Sequence, residues 1–171
     1  ESGVIAVGET GLDFYRNGPP PDVQRSAFQK HIELSLDTGL PLVIHSRSAL
    51  AETRDVLREY KEDSWSGVMH CFGGSASDAR MFLDMGFMIS FAGNLTFPKA
   101  LELRKAFDEV PEERLLMETD SPYLAPQRYR GKKNQPAWIA ATVEYAAGLR
   151  KTDFARIAEI TLANANRLFG L

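Results

Sequence analysis

This chain has very little cysteine and no long apolar run. Cysteine occurs once, at Cys71, so an internal disulfide framework is excluded and a reducing compartment is favoured. No stretch has the length and apolarity of a transmembrane helix or a signal peptide, and we therefore expect no membrane association. Together these shortages favour a cytoplasmic protein.

The sequence also lacks an excess of basic residues. It has 20 lysines and arginines against 23 aspartates and glutamates, which gives a formal net charge of −3 at pH 7. A protein without a global basic field is not expected to bind duplex DNA tightly and non-specifically. The charge does not argue against an enzyme with a locally basic cleft.

The length of the chain limits its architecture. At 171 residues it is long enough for one well-buried core and too short for two ordinary domains. A closed eight-stranded (β/α) barrel typically needs roughly 250 residues. The chain begins at Glu1, without a methionine and close to an apolar run. We therefore predict that residues 1–171 form the C-terminal two-thirds of one barrel domain whose opening strands are absent.

Four short apolar runs each end on a potential metal ligand. The residues that follow these runs are Glu9, His45, His70 and the pair Glu118 and Asp120. Runs this short, flanked by breakers, are typical of buried strands. With a further apolar run, the predicted strands are 3–8, 41–45, 67–71, 87–91 and 114–118. In a (β/α) barrel such strand ends lie on one face, so we expect Glu9, His45, His70 and Asp120 to converge there.

Amphipathic stretches separate the predicted strands. They predict helices over 22–37, 49–60, 77–85, 99–110, 136–149 and 153–169, with Asp22 and Thr152 as N-caps and Gly39 as a stop. Alternating strands and helices indicate the α/β class with a parallel sheet. The predicted fold is a TIM-type (β/α) barrel that is incomplete in this chain.

The histidines are few and two of them occupy equivalent positions. His45 and His70 follow successive strands, whereas His31 lies within a helix and is expected to have only a packing or surface role. Imidazole nitrogens with carboxylate oxygens suit Zn²⁺, Mn²⁺ or a comparable divalent ion. Strand alternation should turn Cys71 away from this site, so we expect a buried thiol there and no metal ligand.

Acidic residues accompany both ends of the predicted site. Glu9 and Asp13 share a glycine-containing segment, predicted as a tight turn above the first strand, in which Asp13 would orient a ligand. An ordinary loop with solvated acids is the alternative. Glu118 and Asp120 should share a strand face by the two-residue period. Asp120 lies nearer the strand end and is the preferred ligand, with Glu118 behind it.

Basic residues near these strands are candidates for binding phosphate. Arg47 follows His45 at the predicted start of a helix, where phosphate would also meet free backbone N–H groups, although a surface ion pair is equally compatible. A second group lies in one loop, with tyrosines interleaved; it consists of Arg128, Arg130, Lys132 and Lys133, with Tyr123 and Tyr129. Base stacking beside phosphate contacts uses this composition, and so does a solvated loop.

Several motifs in order resemble one known family. They are Gly8-Glu9-Thr10-Gly11-Leu12-Asp13, Ile44-His45-Ser46-Arg47, Met69-His70-Cys71-Phe72-Gly73-Gly74, Glu118-Thr119-Asp120-Ser121-Pro122-Tyr123-Leu124-Ala125-Pro126 and Arg130-Gly131-Lys132, followed by Asn134, Pro136 and a closing Asn166-Arg167-Leu168-Phe169. Together they resemble the TatD family of metal-dependent hydrolases, which are deoxyribonuclease-like proteins of the amidohydrolase type. The resemblance covers essentially the whole chain.

The resemblance implies a TIM barrel with a two-metal centre that hydrolyses phosphodiester bonds. Glu9 would match the bridging carboxylate, and His45 and His70 would match the two histidines on one metal. Asp120 would match the aspartate on the other metal, which also handles the proton of the attacking water. The family's His-x-His pair on the first strand has no counterpart in this sequence.

The leading hypothesis is therefore a metal-dependent phosphodiesterase that cleaves DNA from a strand end. It would use two divalent ions per complete site (Zn, Mn or Mg), with Asp120 as general base and with Arg47, Arg130 and Lys132 on the phosphate. One alternative cleaves another ester or amide, such as an aminoacyl-tRNA ester. A second alternative is a non-catalytic α/β fragment with a residual metal site. The sequence leaves open the metal, the polarity of attack, DNA or RNA preference and the oligomeric state.

Overall fold

A computed structural model describes residues 3–60 and 64–171 and shows a five-stranded parallel sheet at the centre of the fold. The strands pair in sequence order and are β1 (Val7–Asp13), β2 (Leu42–Arg47), β3 (Gly67–Met69), β4 (Met88–Phe91) and β5 (Leu115–Met117). Neighbouring strands that run parallel require crossover connections, and helices supply them here. The predicted α/β class with a parallel sheet is confirmed.

In the described part of the chain, six helices connect or follow the strands. They are α1 (Pro21–Thr38), α2 (Leu50–Arg58), α3 (Ala76–Asp84), α4 (Leu101–Glu109), α5 (Ile139–Arg150) and α6 (Phe154–Phe169). Four short 3₁₀ turns lie at Gly93–Thr96, Glu112–Arg114, Gln127–Tyr129 and Pro136–Trp138. Among the described residues, no helix has the length and apolarity needed to cross a bilayer.

Two of the predicted helix caps are wrong. Helix α1 begins with Pro21, and no side chain caps it, so Asp22 lies inside the first turn, where its charge still favours the helix dipole. Helix α6 is capped by Asp153, whose carboxylate accepts a hydrogen bond from the Arg156 N–H, and not by Thr152. The predicted stop at Gly39 is confirmed, because this residue adopts the left-handed conformation that ends α1.

The first strand differs from its prediction at both ends. It begins at Val7, whereas Val4 is exposed, and it continues to Asp13, so the glycine-containing segment is a strand and no turn. Gly8 and Gly11 lie against the backbone of β2; a Cβ at either position would collide with Val43 or with the His45 carbonyl. The glycines are therefore used for close strand pairing.

Both faces of the sheet are covered by apolar side chains, as a parallel sheet requires. The larger cluster packs between the sheet and α1 to α5, with Phe91 edge-on to Phe107 at a centroid distance of 5.2 Å. The smaller cluster joins Val68, Met88 and Leu116 to the end of α6. Because alternate residues of a strand share a face, this smaller cluster lies on the face that carries His70 further along the chain.

Candidate metal centre

The four predicted ligand residues lie together above the sheet. A Glu9 carboxylate oxygen is 2.9 Å from Nδ1 of His45 and 3.7 Å from Nε2 of His70. The same His70 nitrogen is 3.8 Å from an Asp120 carboxylate oxygen. His45 lies near the end of β2, His70 directly follows β3, and Asp120 follows β5. The structure thus brings these side chains together, and their role as metal ligands stays a prediction.

The position of Glu9 within its strand differs from the prediction. Strand β1 continues past Glu9 to Asp13, so Glu9 does not lie at the strand end. The pairing of β1 with β2 is irregular between Val7 and Thr10, and Gly11 is the residue opposite His45. This irregularity changes the direction of the Glu9 side chain, as bulges near functional sites do. Glu9 reaches both histidines for this reason.

The donor atoms form two groups that share one histidine. In each group, one atom from each residue lies within 4.8 Å of the others; the groups are Glu9 with His45 and His70, and His70 with Glu118 and Asp120. Imidazole nitrogens and carboxylate oxygens at these separations fit a divalent ion such as Zn²⁺ or Mn²⁺. The chemistry of the donors therefore fits the metal that the resemblance implies.

Glu118 fixes the orientation of His70. One Glu118 oxygen is 2.7 Å from Nδ1 of His70, and the other accepts a hydrogen bond from the Cys71 N–H at 3.0 Å. The contact occupies Nδ1 and leaves Nε2 directed at Glu9 and Asp120, which is how a carboxylate orients a metal-binding histidine. Burial alone would lower the pKa of His70, but its hydrogen bond and charge interaction with Glu118 raise it. The same contacts lower the pKa of Glu118 against the opposing effect of burial.

Asp13 holds His45 from the other side of the ring. Its Oδ2 is 3.3 Å from Nε2 of His45, while its Oδ1 accepts hydrogen bonds from the N–H groups of Tyr15 and Arg16. Burial would raise the pKa of Asp13, but these two backbone bonds and His45 lower it, so the carboxylate stays charged. The geometry fits the predicted orienting role. Gln24, which sequence reasoning missed, hydrogen-bonds both the N–H and the carbonyl of Asp13.

Asp120 and Glu118 do not share a regular strand face, because β5 ends at Met117. Asp120 adopts a positive φ of 53° in the loop that follows, and this turn directs its carboxylate at His70. Burial and the negative charges of Glu118 and Glu9 raise its pKa, although His70 opposes them. A carboxylate in this setting takes up a proton more readily than a free aspartate does.

The predicted orientation of the Cys71 side chain is wrong. The strand ends at Met69 and Cys71 has a φ of 45°, so strand alternation no longer decides where its side chain points. Its Sγ lies 3.8 Å from an Asp120 oxygen. Burial, together with the neighbouring charges of Glu118 and Asp120, raises the pKa of the thiol and keeps it protonated. The absence of a metal-binding role for Cys71 stays a prediction.

Asn134 holds the loop that carries Asp120. Its side-chain amide donates hydrogen bonds to the carbonyls of Thr119 at 2.7 Å and Tyr123 at 2.6 Å, and its N–H donates to Pro122. The residue is buried. Its position in the sequence gave no sign of this function, because the contacts depend on how a loop of fifteen residues folds back. The carboxylate of Asp120 is therefore placed by a buried amide.

Substitution of Asn134 by alanine should lower both stability and metal affinity. It removes the hydrogen bonds to the carbonyls of Thr119 and Tyr123, which costs about 1–3 kcal/mol of unfolding free energy. Asn164 is a matched control, because its buried amide likewise caps two carbonyls, those of Glu112 and Leu115, away from the metal residues. We expect both alanine variants to unfold at lower urea concentration, and only Asn134→Ala to weaken metal binding in calorimetry. Equal metal affinity in the two variants would contradict the positioning role.

The predicted phosphate-binding residues have varied surroundings. Arg47 ends β2, ahead of the start of α2, and its guanidinium lies 4.0 Å from the ring centre of Tyr15. Arg130 lies 3.9 Å from the ring centre of Phe97, and Lys132 is exposed. In the same loop, Arg128 forms an ion pair with Glu144 on α5, and Tyr129 stacks on Trp138. The role of Arg47, Arg130 and Lys132 in binding phosphate stays a prediction.

Comparison with known proteins identifies the family. The family profile described as TatD related DNase matches residues 1–170. The chain belongs to the TatD family. It is 45% identical over 169 residues to the uncharacterized metal-dependent hydrolase YcfH of Escherichia coli K12, covering 99% of this chain and 64% of that protein. It is 41% identical over 166 residues to YabD of Bacillus subtilis, covering 97% of this chain and 65% of that protein.

Two further TatD relatives extend the comparison. The 3'-5' ssDNA/RNA exonuclease TatD of Rahnella sp. is 36% identical over 173 residues, which cover 98% of this chain and 66% of that protein. The crystal structure of YJJV, a TatD homologue from Escherichia coli, superposes with a TM-score of 0.91 at 30% identity, over 98% of this chain and 64% of that one.

The fold also extends beyond the TatD family. An organophosphorus hydrolase of Deinococcus radiodurans, 18% identical, superposes with a TM-score of 0.62 over 94% of this chain and 54% of that one, which supports the fold alone. The chain thus spans about 64% of the length of the TatD relatives it matches. Among the described residues, the five parallel strands correspond to part of the TIM barrel of the TatD relatives, and the predicted fold class and family are confirmed.

Proposed function

We propose that this TatD-family hydrolase cleaves phosphodiester bonds of DNA, from a strand end, as part of one TatD-like hydrolase domain. The observation that carries the proposal is the position of His70, whose Nε2 lies between the carboxylates of Glu9 and Asp120. Two overlapping groups of imidazole and carboxylate donors suit a divalent-metal centre, in which His45 and His70 would hold one ion. The Rahnella relative, a 3'-5' ssDNA/RNA exonuclease, supports the choice of substrate.

In this proposal four side chains bind the metal, and two further carboxylates orient the two histidines among them. Glu9, His45, His70 and Asp120 are the ligands, with two ions (Zn, Mn or Mg) in a complete site. Glu118 orients His70 and Asp13 orients His45. Bound divalent ions lower the pKa of a water molecule and stabilise negative charge on a phosphoryl oxygen.

Asp120 is the proposed general base. Its carboxylate points at His70, and burial with nearby negative charge raises its pKa, which favours taking up the proton of an attacking water. Arg47, Arg130 and Lys132 are proposed to position the phosphate, since their charges complement it. A small neutral ester or amide would not need these cations, and for this reason we favour a phosphate-bearing substrate.

The decisive experiment follows the products of a labelled single strand. The protein is incubated with a 5'-labelled oligonucleotide in EDTA, and then with Mn²⁺, Zn²⁺ or Mg²⁺ in excess. We expect cleavage only with metal and a ladder that shortens from one end. A circular single strand of the same composition is the matched control and should resist. Cleavage of the circle would contradict attack from a strand end, and absence of metal-dependent cleavage of the linear strand would contradict the proposal.

A further inference from the structure

Two exposed tyrosines stand beside the candidate metal centre, and each has an arginine against its ring. Arg47 lies 4.0 Å from the ring centre of Tyr15, and Arg16 lies 5.6 Å from that of Tyr123. Tyr15 is 67% exposed and Tyr123 is 58% exposed, although aromatic rings are usually covered in folded proteins. We call these four residues the tyrosine platform.

The backbone of each tyrosine is hydrogen-bonded to a residue of the proposed metal site. The N–H of Tyr15 donates to Oδ1 of Asp13, whose other oxygen contacts His45. The N–H of Tyr123 donates to the carbonyl of Asp120 at 2.8 Å. Each ring is therefore separated from a metal-site side chain by only a short turn. A ligand held in the metal site would have the two rings beside it.

The tyrosine platform also connects the loops that follow the two outer strands of the sheet. Strands β1 and β5 are the two outer strands in the observed order, yet Arg16, which follows β1, reaches Tyr123, which follows β5. Arg16 is additionally held by Asp13, with 3.9 Å between its Nε and Oδ2. The loops at opposite sides of the sheet thus meet at the end that carries His45 and His70. The tyrosines and arginines therefore lie at the same end of the sheet as those histidines.

We infer that the tyrosine platform stacks unpaired nucleobases next to the phosphate that is cleaved. The inference rests on the proposed function, because it takes the metal site as the place of the phosphate. Stacking on aromatic rings binds every base and adds affinity without a global basic field, which this chain of net charge −3 does not have. Arg16 and Arg47 supply local positive charge for the flanking phosphates. In a duplex, neighbouring base pairs stack on one another and cover the base faces that the tyrosines need, so the platform selects single strands.

Tyr129 is not part of this surface, although the sequence placed it with Tyr123. Its ring is stacked on Trp138 at a centroid distance of 4.2 Å and serves packing. Tyr15 and Arg16, in contrast, were not singled out by their sequence context. The N–H groups of Tyr15 and Arg16 both donate to Asp13, and these contacts hold the loop after β1 next to the metal site.

Binding without hydrolysis tests the inference. Fluorescence anisotropy in EDTA compares the protein's affinity for a labelled oligothymidylate of five nucleotides with its affinity for an abasic oligomer that has the same number of phosphates. We expect the base-bearing strand to bind more tightly, and Tyr15→Leu and Tyr123→Leu each to weaken it by about tenfold while leaving the abasic strand within twofold. Tyr→Phe at either position should retain the affinity. Phe154→Leu, which removes an exposed ring elsewhere, is the control and should change nothing.

Three results would overturn the inference. They are the absence of a preference for the base-bearing strand in the unmodified protein, unchanged binding in both leucine variants, and an equal loss for the base-bearing and abasic strands, which would show a merely structural effect. The outcome is independent of the nuclease assay. Metal-dependent cleavage with unchanged oligonucleotide binding in the leucine variants would refute the role of the tyrosine platform and leave the proposed function intact. Base-dependent binding without cleavage would refute the proposed function and leave the role of the tyrosine platform intact.

Discussion

Replacement of Asp120 by asparagine is expected to reduce metal-dependent hydrolysis of a single-stranded oligonucleotide by about 10²–10⁴-fold, the range that general acid–base catalysis contributes. The amide has the shape of the carboxylate but takes up no proton at neutral pH. Asparagine also tolerates a positive φ such as the 53° of Asp120, so the loop should keep its conformation. The measurement is kcat/KM at saturating metal.

Saturating metal separates the two proposed roles of Asp120. If the residue only bound metal, an excess of the ion would restore much of the rate. Asp108→Asn, on the exposed surface of α4, is the matched control and should retain full activity. Turnover of Asp120→Asn close to that of the unmodified protein would refute its assignment as general base.

Replacement of His70 by alanine is expected to abolish firm metal binding, whereas His45→Ala should only weaken it. Nε2 of His70 lies beside the carboxylates of both Glu9 and Asp120, and among the described residues His45 belongs only to the donor group that contains Glu9. Native mass spectrometry with a Zn²⁺ titration reports the number of ions bound. We expect no firmly held ion for His70→Ala and, for His45→Ala, an ion that is still bound with its affinity lowered by at least about 10-fold.

Loss of fold must be distinguished from loss of ligands in this experiment. His70→Ala leaves the buried carboxylate of Glu118 without its partner, and an unpaired buried charge is destabilising. The double variant His70→Ala/Glu118→Gln removes that charge, so it should recover thermal stability but not metal binding. Recovery of metal binding in the double variant, or an equal number of ions bound by His70→Ala and His45→Ala, would contradict the larger contribution of His70.

Much of this architecture could be predicted because it depends on local patterns. Short apolar runs bounded by breakers identified five parallel strands, and the C-terminal ends of such strands meet on one face. This rule predicts that His45, His70 and Asp120 converge. The family resemblance rested on the same residues, and the match over residues 1–170 confirms it.

The errors occurred where tertiary contacts override the local pattern. Gly8 and Gly11 suggested a turn, but they permit close approach to β2. Cys71 was assigned by strand alternation, which stops where its φ becomes positive. Asn134 and the tyrosine platform depend on loops that fold back on one another, and no spacing rule describes such contacts.

The central claim, that His45 and His70 hold a divalent ion, is tested most directly by NMR of the imidazole rings during a Zn²⁺ titration. The chain has three histidines, and His31, whose Nδ1 lies 2.9 Å from the Thr10 hydroxyl oxygen, is an internal control. We predict that the ¹⁵N resonances of His45 and His70 move to the positions of metal-bound nitrogen while those of His31 stay unchanged. Unchanged His45 and His70 resonances at saturating Zn²⁺, or equal shifts of all three rings, would contradict the metal centre.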